Sequence, residues 1–310
     1  MSVLVIGGAG YIGDGITDLL PNCDIFDNLT YDDRYLKDVT FIYGDVRNLE
    51  HLDKIVHNYD TLIVLAGIVG DAACAVNPEF TYDTNVKHVK WLADNYNGKI
   101  IYTSTCSVYG MNDNLLNESS PTNPLSIYAE TKLEAEQYLL SKKPNSVIFR
   151  LGTLFGLSGK YSRPRLDLVV NVLTLRATRG EILHVFGGDQ WRPILHVKDV
   201  AHAVVHSLLM DVPGGVYNLC RKNVTIKDAA NVIRSVVPCS IEYQDIMFED
   251  RRNYKVSDQK ILDTGFVYPE HLTVTKGVSE MAKVFKEGRV KNPYNALYHN
   301  GNHIGELHEK

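Results

Sequence analysis

An α/β fold built on a doubly wound parallel sheet is predicted by three features of the sequence. Strand-like apolar runs alternate with helical runs through the first 150 residues. Glycines crowd the first strand-to-helix turn. An acidic residue closes the second strand. Such alternation implies βαβ units, because parallel neighbours need a crossover helix.

The elements follow in order. Residues 3–6 (VLVI) form a buried strand. Gly7, Gly8, Gly10 and Gly13 make the turn, and Ile16, Leu19 and Leu20 then recur at helical spacing until Pro21. Glycine allows a tight turn and a close backbone approach to a pyrophosphate, which the helix N-terminus favours electrostatically. Residues 23–26 form the second strand and end in Asp27, about 20 residues beyond the glycines. Its carboxylate can accept from both ribose hydroxyls and would repel a 2′-phosphate, which favours NAD over NADP. An acidic strand end without a ligand is the bland alternative.

Strands are expected at 40–43, 61–65, 99–105 and 146–151, and helices at 49–56, 78–96 and 128–141. Organisation changes near Gly152. Residues 157–192 are punctuated by Arg and Gly around a helical segment at 166–179. A strand at 194–197 and a helix at 200–210 look like a return to the first domain. The expected division is a dinucleotide domain of residues 1–151 and 194–220, and a smaller, discontinuous C-terminal lobe of residues 152–193 and 221–310. The segment from Asn292 is polar and is expected to be loosely held.

The 310 residues are 45% hydrophobic and 22% charged, with a formal net charge of −5, as in ordinary globular proteins. No basic stripe or tail appears, which argues against nucleic acid and anionic membranes as partners. The longest apolar run, 62–69, is too short to span a membrane and is broken by Gly67. Five cysteines without CxxC spacing fit a reduced cytoplasm and argue against a disulfide framework or zinc site. His299, His303 and His308 lack acidic or Cys partners at ligand spacing, so no metal is expected.

Two stretches carry the chemistry: STCSVYG (104–110) and YAETK (128–132). Tyr128 and Lys132 are four apart on a predicted helix and share a face. Alone, this is also how a surface Tyr–Lys pair looks. The hydroxyl-rich strand end at 103–105 adds weight, because ligands of open α/β sheets sit at the carboxyl ends of strands.

Taken together, these motifs resemble the extended short-chain dehydrogenase/reductase superfamily, the Rossmann-type NAD-dependent nucleotide-sugar epimerases and dehydratases. The resemblance covers nearly the whole chain. GGAGYIG (7–13), with Gly7, Gly10, Tyr11, Ile12 and Gly13, matches the family's GxxGxxG. DNL, with Asp27 and Asn28, matches its ribose-binding segment. GDV, with Asp45 and Val46, matches its adenine-contacting segment. LAG (Leu65, Ala66, Gly67), Asn85 and Thr103 match later cofactor contacts. RPILHVKDVAHA (192–203) and VYNL (216–219) match landmarks of the substrate half.

The resemblance implies that Tyr128 is the general acid/base, Lys132 its activator and a cofactor ribose contact, and Thr105 the hydroxyl that bridges Tyr128 and the sugar. Hydride would pass between sugar C4 and NAD. A phenol ordinarily titrates near pH 10, and a nearby ammonium would bring it towards working pH. Arg192 and Arg252 match arginines used on the substrate's phosphates or ribose, although each can instead be read as a structural ion pair, for instance with Asp189 or Asp250. Thr153, in RLGTLFG, replaces a substrate-contacting Asn of the family. RPRLDLVVN, with Asn171, departs from galactose-type epimerases.

Cys106 and Ser107 stand where the 4,6-dehydratases carry Asp-Glu, so dehydration is not expected. Cys106 is expected to be a buried small residue rather than a nucleophile. RLGTLFG with PRLDLVVN, IVGDAAC and DRRNY resemble a subgroup that contains nucleotide-heptose C4 dehydrogenases. The resemblance implies a nucleotide-diphosphate sugar substrate, a role in polysaccharide synthesis, and a homodimer formed by the helices at 78–96 and 128–141. Two alternatives stay open: an NAD(P)H-dependent 4-keto-sugar reductase, and a non-catalytic dinucleotide sensor.

Overall fold

The computed structural model describes residues 1–31, 37–159, 162–245 and 252–309. The first half alternates as its pattern predicts: β1 (Val3–Ile6), α1 (Gly13–Leu19), β2 (Asp24–Asp27), β3 (Phe41–Tyr43), α2 (Leu49–Val56) and β4 (Thr61–Val64). Then come α3 (Asp71–Val76), α4 (Pro78–Tyr82), α5 (His88–Asn95), β5 (Lys99–Thr105), β6 (Met111–Leu116), α6 (Ile127–Lys142) and β7 (Val147–Leu151). The second half comprises β8 (Thr153–Phe155), α7 (Val169–Thr178), β9 (Leu183–Phe186), β10 (Trp191–His196), α8 (Val197–Leu209) and β11 (Gly215–Leu219). It closes with β12 (Lys222–Thr225), α9 (Ile226–Val236), β13 (Ile241–Gln244), β14 (Asn253–Val256), α10 (Gln259–Leu262), α11 (Val274–Lys286) and α12 (Asn300–His308).

Seven strands form one sheet in the order β11-β7-β5-β4-β1-β2-β3, all parallel. The chain winds outward from β1 to β3, then crosses to β4 and winds the other way. The reversal lies between β1 and β4, which is where such sheets open a crevice for ligands. Each strand sends alternate residues to opposite faces. Val5, Ile63, Ile101 and Phe149 pack under α1 and α8 on one face. Leu4, Leu62, Ile100 and Ile148 pack with Leu52 of α2 and Leu92 of α5 on the other. Burying each such side chain contributes about 1.5–3 kcal/mol.

Four expectations are corrected. The helix expected over 78–96 is interrupted by a π-helical turn, Asp83–Lys87, which carries Asn85 inward. The helix expected from 166 begins at Val169, because residues 163–168 are held by the C-terminal segment: the Leu166 amide donates to the Tyr298 carbonyl at 2.9 Å. The strand expected at 194–197 lies in a second, three-stranded sheet of β12, β10 and β8. It is shared between cores, with Leu195 facing the large sheet's core and Ile194 facing that of α7, α9 and α11. The segment from Asn292 is firmly docked. Ile304 of α12 is buried against Ile68, Ala73 and Cys74, and Asn300 is 2% exposed.

Candidate active site

A continuous cleft with a volume of about 270 Å³ lies at the β1/β4 reversal. Its first end is made largely of backbone. Gly7 has φ +84°, and a Cβ there would lie 2.5 Å from the Ala66 amide nitrogen, so this turn admits no side chain. Tyr11 and Ile12 line the cleft, and their amides donate to no acceptor among the described residues. Gly10, Leu65, Ala66, Gly67 and Val46 also line it, whereas Gly13 lies behind, packed too closely on Gly8 to carry a Cβ.

Asp27 ties this end together. Its Oδ2 accepts from the Ala9 amide at 3.1 Å and its Oδ1 from the Leu29 amide at 2.8 Å. Burial pushes its carboxyl above the ordinary value, while those backbone bonds pull the other way. Each oxygen keeps a lone pair for a further donor. Asn28 donates to Asp45 at 3.0 Å, and Asp45 also receives the fork of Arg47. Burial would raise the Asp45 carboxyl, but the Arg47 bonds hold it down at about 2.

The middle of the cleft holds Thr105, Tyr128 and Lys132. Thr105 ends β5, and its Oγ1 accepts from the Ser107 amide and donates to the Ser107 hydroxyl, both at 3.1 Å. Thr103 lines the same wall and donates to the Val64 carbonyl. Tyr128 opens α6, whose N-cap Ser126 accepts from the Ala129 amide. Burial pushes the Tyr128 phenol above its ordinary value, and hydrogen bonding with Thr105 opposes this. Lys132 is 4% exposed, and burial holds its ammonium down to about 7. Its Nζ lies 4.2 Å from the Tyr102 ring centroid and bonds to no acceptor among the described residues. A buried cation without an acceptor is costly, so the lysine is set for a partner from outside the chain.

Two supports fix this register. Asn85 does not line the cleft; its Oδ1 accepts from the Ile68 amide at 2.7 Å and its Nδ2 donates to the Ile68 carbonyl and to Thr131 of α6. It therefore acts on the site through residues 67–68 and α6. Arg150 of β7 grips Glu136 of α6 through two hydrogen bonds and donates to the Tyr109 hydroxyl. His88 of α5 is fully buried, and burial and the Lys132 charge hold its imidazole down to about 3, so it stays neutral. Cys106 is buried with its thiol directed to the Arg150 carbonyl, and burial pushes it far above its ordinary value, so it is no nucleophile at neutral pH.

The far end is assembled from distant segments. Parallel pairing of β6 with β14 brings Arg252 and Tyr254 to the cleft. Arg252 pairs with Asp71 at 3.1 Å, and Asp71 accepts from Ser126 at 2.6 Å, which links this arginine to the start of α6. Asp250, the partner weighed from sequence, lies outside the described residues. Arg192 and Asn171 do not line the cleft. Arg192 donates to the carbonyls of Trp191 and Arg252, and so supports the backbone of its neighbour. Asn171 is fully buried and ties Gly156 to the Arg165 carbonyl. Thr153 does line the cleft.

The sequence reading missed Tyr31, Arg163, Arg165, Tyr254 and Asn300, which all line it. The signal was available for Arg163 and Arg165, since RPRLD is a charged run inside an apolar pattern. Nothing local marks Asn300.

Among the described residues no helix is long and apolar enough to cross a membrane, and no three His, Cys, Asp or Glu side chains gather as a metal ion requires. The groups present do fit a dinucleotide: a turn closed to side chains, unpaired amides beside it, a two-armed carboxylate and a buried cation needing an acceptor.

Comparison with known proteins agrees. Residues 3–220 match the NAD dependent epimerase/dehydratase family. A UDP-glucose 4-epimerase of Halalkalibacterium halodurans is 31% identical over 76% of this chain and 80% of its own. MoeE5, solved with UDP-glucose and NAD, superimposes with a TM-score of 0.79 at 23% identity, covering 93% of this chain and 100% of that one. The UDP-glucose 4-epimerase of Thermotoga maritima gives 0.79 at 22% identity with the same coverage. The motifs, the reversed parallel sheet and these matches agree: the chain belongs to the NAD dependent epimerase/dehydratase family, within the extended short-chain dehydrogenases/reductases, and is an enzyme with NAD as its cofactor.

Proposed function

We propose that this enzyme moves hydride at C4 of a nucleotide-diphosphate sugar, as a 4-epimerase or a C4 dehydrogenase. The observation that carries the reading is Lys132, a buried ammonium that shares the cleft with Tyr128 and Thr105 and lacks an acceptor among the described residues. Bound NAD supplies the hydride acceptor. Tyr128 takes the proton from the sugar hydroxyl as C4 is oxidised. Thr105 holds that hydroxyl against the phenol. Lys132 stabilises the phenolate, which burial alone disfavours. Asp27 orients a ribose through its free lone pairs. Arg252 and Thr153 face the sugar nucleotide.

On this reading, residues 1–151 and 194–220 hold NAD, and residues 152–193 and 221–310 hold the substrate. Cys106 and Ser107 leave no carboxylic acid after Thr105 to drive dehydration. Pairing of two copies through α5 and α6 is part of the proposal, and sedimentation tests it.

The deciding experiment starts with the purified protein and nothing added. Denaturation releases any dinucleotide, which is then identified, and a panel of UDP-, GDP- and ADP-sugars is tested for turnover before and after Tyr128→Phe. Stoichiometric NAD or NADH, with turnover abolished in the variant, supports the reading. An empty protein that prefers NADPH and consumes a 4-keto sugar is a reductase, and the reading of Asp27 then fails.

A further inference from the structure

We propose that Arg165, together with Tyr31, binds the diphosphate of the dinucleotide, and that Asp167 and Asn300 are its positioning residues. The inference rests on the cleft being the NAD site and adds a contact from the second half of the chain that no motif supplies.

Among the described residues five cationic side chains line the cleft. Arg47 is engaged by Asp45 and stacks 4.6 Å from the Phe80 ring. Lys132 stands with Tyr128, and Arg252 pairs with Asp71 beside Tyr254. The remaining two, Arg163 and Arg165, come from the irregular stretch before α7. Arg163 is a fastener. It donates to the Leu297 carbonyl and to Asn300, and lies 4.5 Å from the Tyr31 ring centroid.

Arg165 is different. It is 7% exposed, and its Nε and Nη2 form a two-armed bond with Asp167 at 2.7 and 2.8 Å. Its Nη1 has no partner among the described residues, and the side chain lines the cleft. The nearby Tyr31 hydroxyl is also buried without a partner. The Arg165 charge is felt at Tyr11 of the glycine turn, at Tyr31, which follows the ribose segment, and at Tyr128 in the middle of the cleft. An unpaired guanidinium nitrogen that lines the cleft and a buried unpaired hydroxyl therefore stand near the turn whose own amides are unpaired. A guanidinium suits a diphosphate, because it keeps its charge when desolvated and offers donors in one plane. Asp167 fixes the fork, and the main-chain amide of Asn300 donates to Asp167 at 3.1 Å. The nucleotide sugar also carries a diphosphate, but Arg165 is tied to the glycine turn through Asn171, whose Nδ2 donates to both the Arg165 carbonyl and the Tyr11 hydroxyl.

The test uses the full-length protein stripped of cofactor, with calorimetric binding of NAD, ADP-ribose, adenosine and UDP. Arg165→Gln is expected to weaken NAD and ADP-ribose roughly tenfold to a hundredfold. Adenosine and UDP, which report the adenine pocket and the sugar end, should be unchanged. Arg165→Lys should recover part of the loss. Asp167→Asn should weaken NAD severalfold, and the double variant should be no worse than Arg165→Gln, as expected if Asp167 acts through the arginine. Unchanged NAD affinity in Arg165→Gln overturns the proposal, as does a loss confined to UDP, which would assign the arginine to the sugar nucleotide. If wild type itself binds UDP but neither NAD nor ADP-ribose, the reading of the cleft fails instead. A variant that loses adenosine and UDP as well has lost the fold, and Arg165→Lys then decides: NAD affinity equal to that of Arg165→Gln overturns the proposal, and partial recovery supports it.

Discussion

The two ends of the cleft are built by opposite means. The end assigned above to the dinucleotide is mostly main chain: a turn with no room for a Cβ, unpaired amides, and one carboxylate braced by two further backbone amides. The end assigned above to the sugar is mostly side chain, with Arg252, Tyr254 and hydroxyls delivered from β5, β8 and β14. Backbone sites tolerate no added atom, while side-chain sites are altered by removing a charge. This difference predicts how each end fails.

The largest effect belongs to the group between the two ends. Tyr128→Phe should lower turnover by roughly 10²–10⁴-fold and leave NAD content and stability near wild type. Loss of NAD along with turnover would mean that the phenol holds the cofactor rather than moving a proton.

At the dinucleotide end, Gly7→Ala adds one methyl at positive φ against the Ala66 backbone. It should cost ~2 kcal/mol or more, and the variant should be purified without dinucleotide. Chemical denaturation and released-cofactor analysis check both. At the sugar end, Arg252→Gln should raise KM for the nucleotide sugar about tenfold with NAD content unchanged. If both constants moved together, the two ends would not be separable.

The last prediction concerns the stability of the cofactor-free protein. An unfolded lysine keeps its proton up to its ordinary range, whereas folded, cofactor-free Lys132 sheds it above about 7. Between those values the unfolded chain binds more protons, so stability rises with pH; below about 7 the burial cost is complete. Lys132→Met should therefore stabilise the cofactor-free protein by ~1–4 kcal/mol, most at and below neutral pH, while abolishing turnover. Thermal unfolding at several pH values checks the sign.

The same contrast governs what could be read from sequence. The glycine turn, Asp27 and the Tyr128–Lys132 spacing are short-range patterns, so the first half of the fold and the middle of the cleft were legible. Arg192 and Asn171 were misplaced because spacing reveals which residue is polar, not which way its strand or helix is turned. Asn85 was found for its identity, but its action through Ile68 depends on a π-helical turn that the apolar pattern does not encode. Arg163 and Asp167 meet Asn300 through long-range packing, which a single sequence hides.

The Asn300 side chain donates to the Val69 carbonyl across 231 positions of the chain. Closing so long a loop carries a large entropic cost, so contacts of this kind tend to form late in folding. An intermediate that has assembled the seven-stranded sheet would have its glycine turn and Asp27 in place, but not the wall made by Arg163, Arg165 and Asn300. That wall is consequently the last part of the cleft to form, and on partial unfolding it should be the first to open.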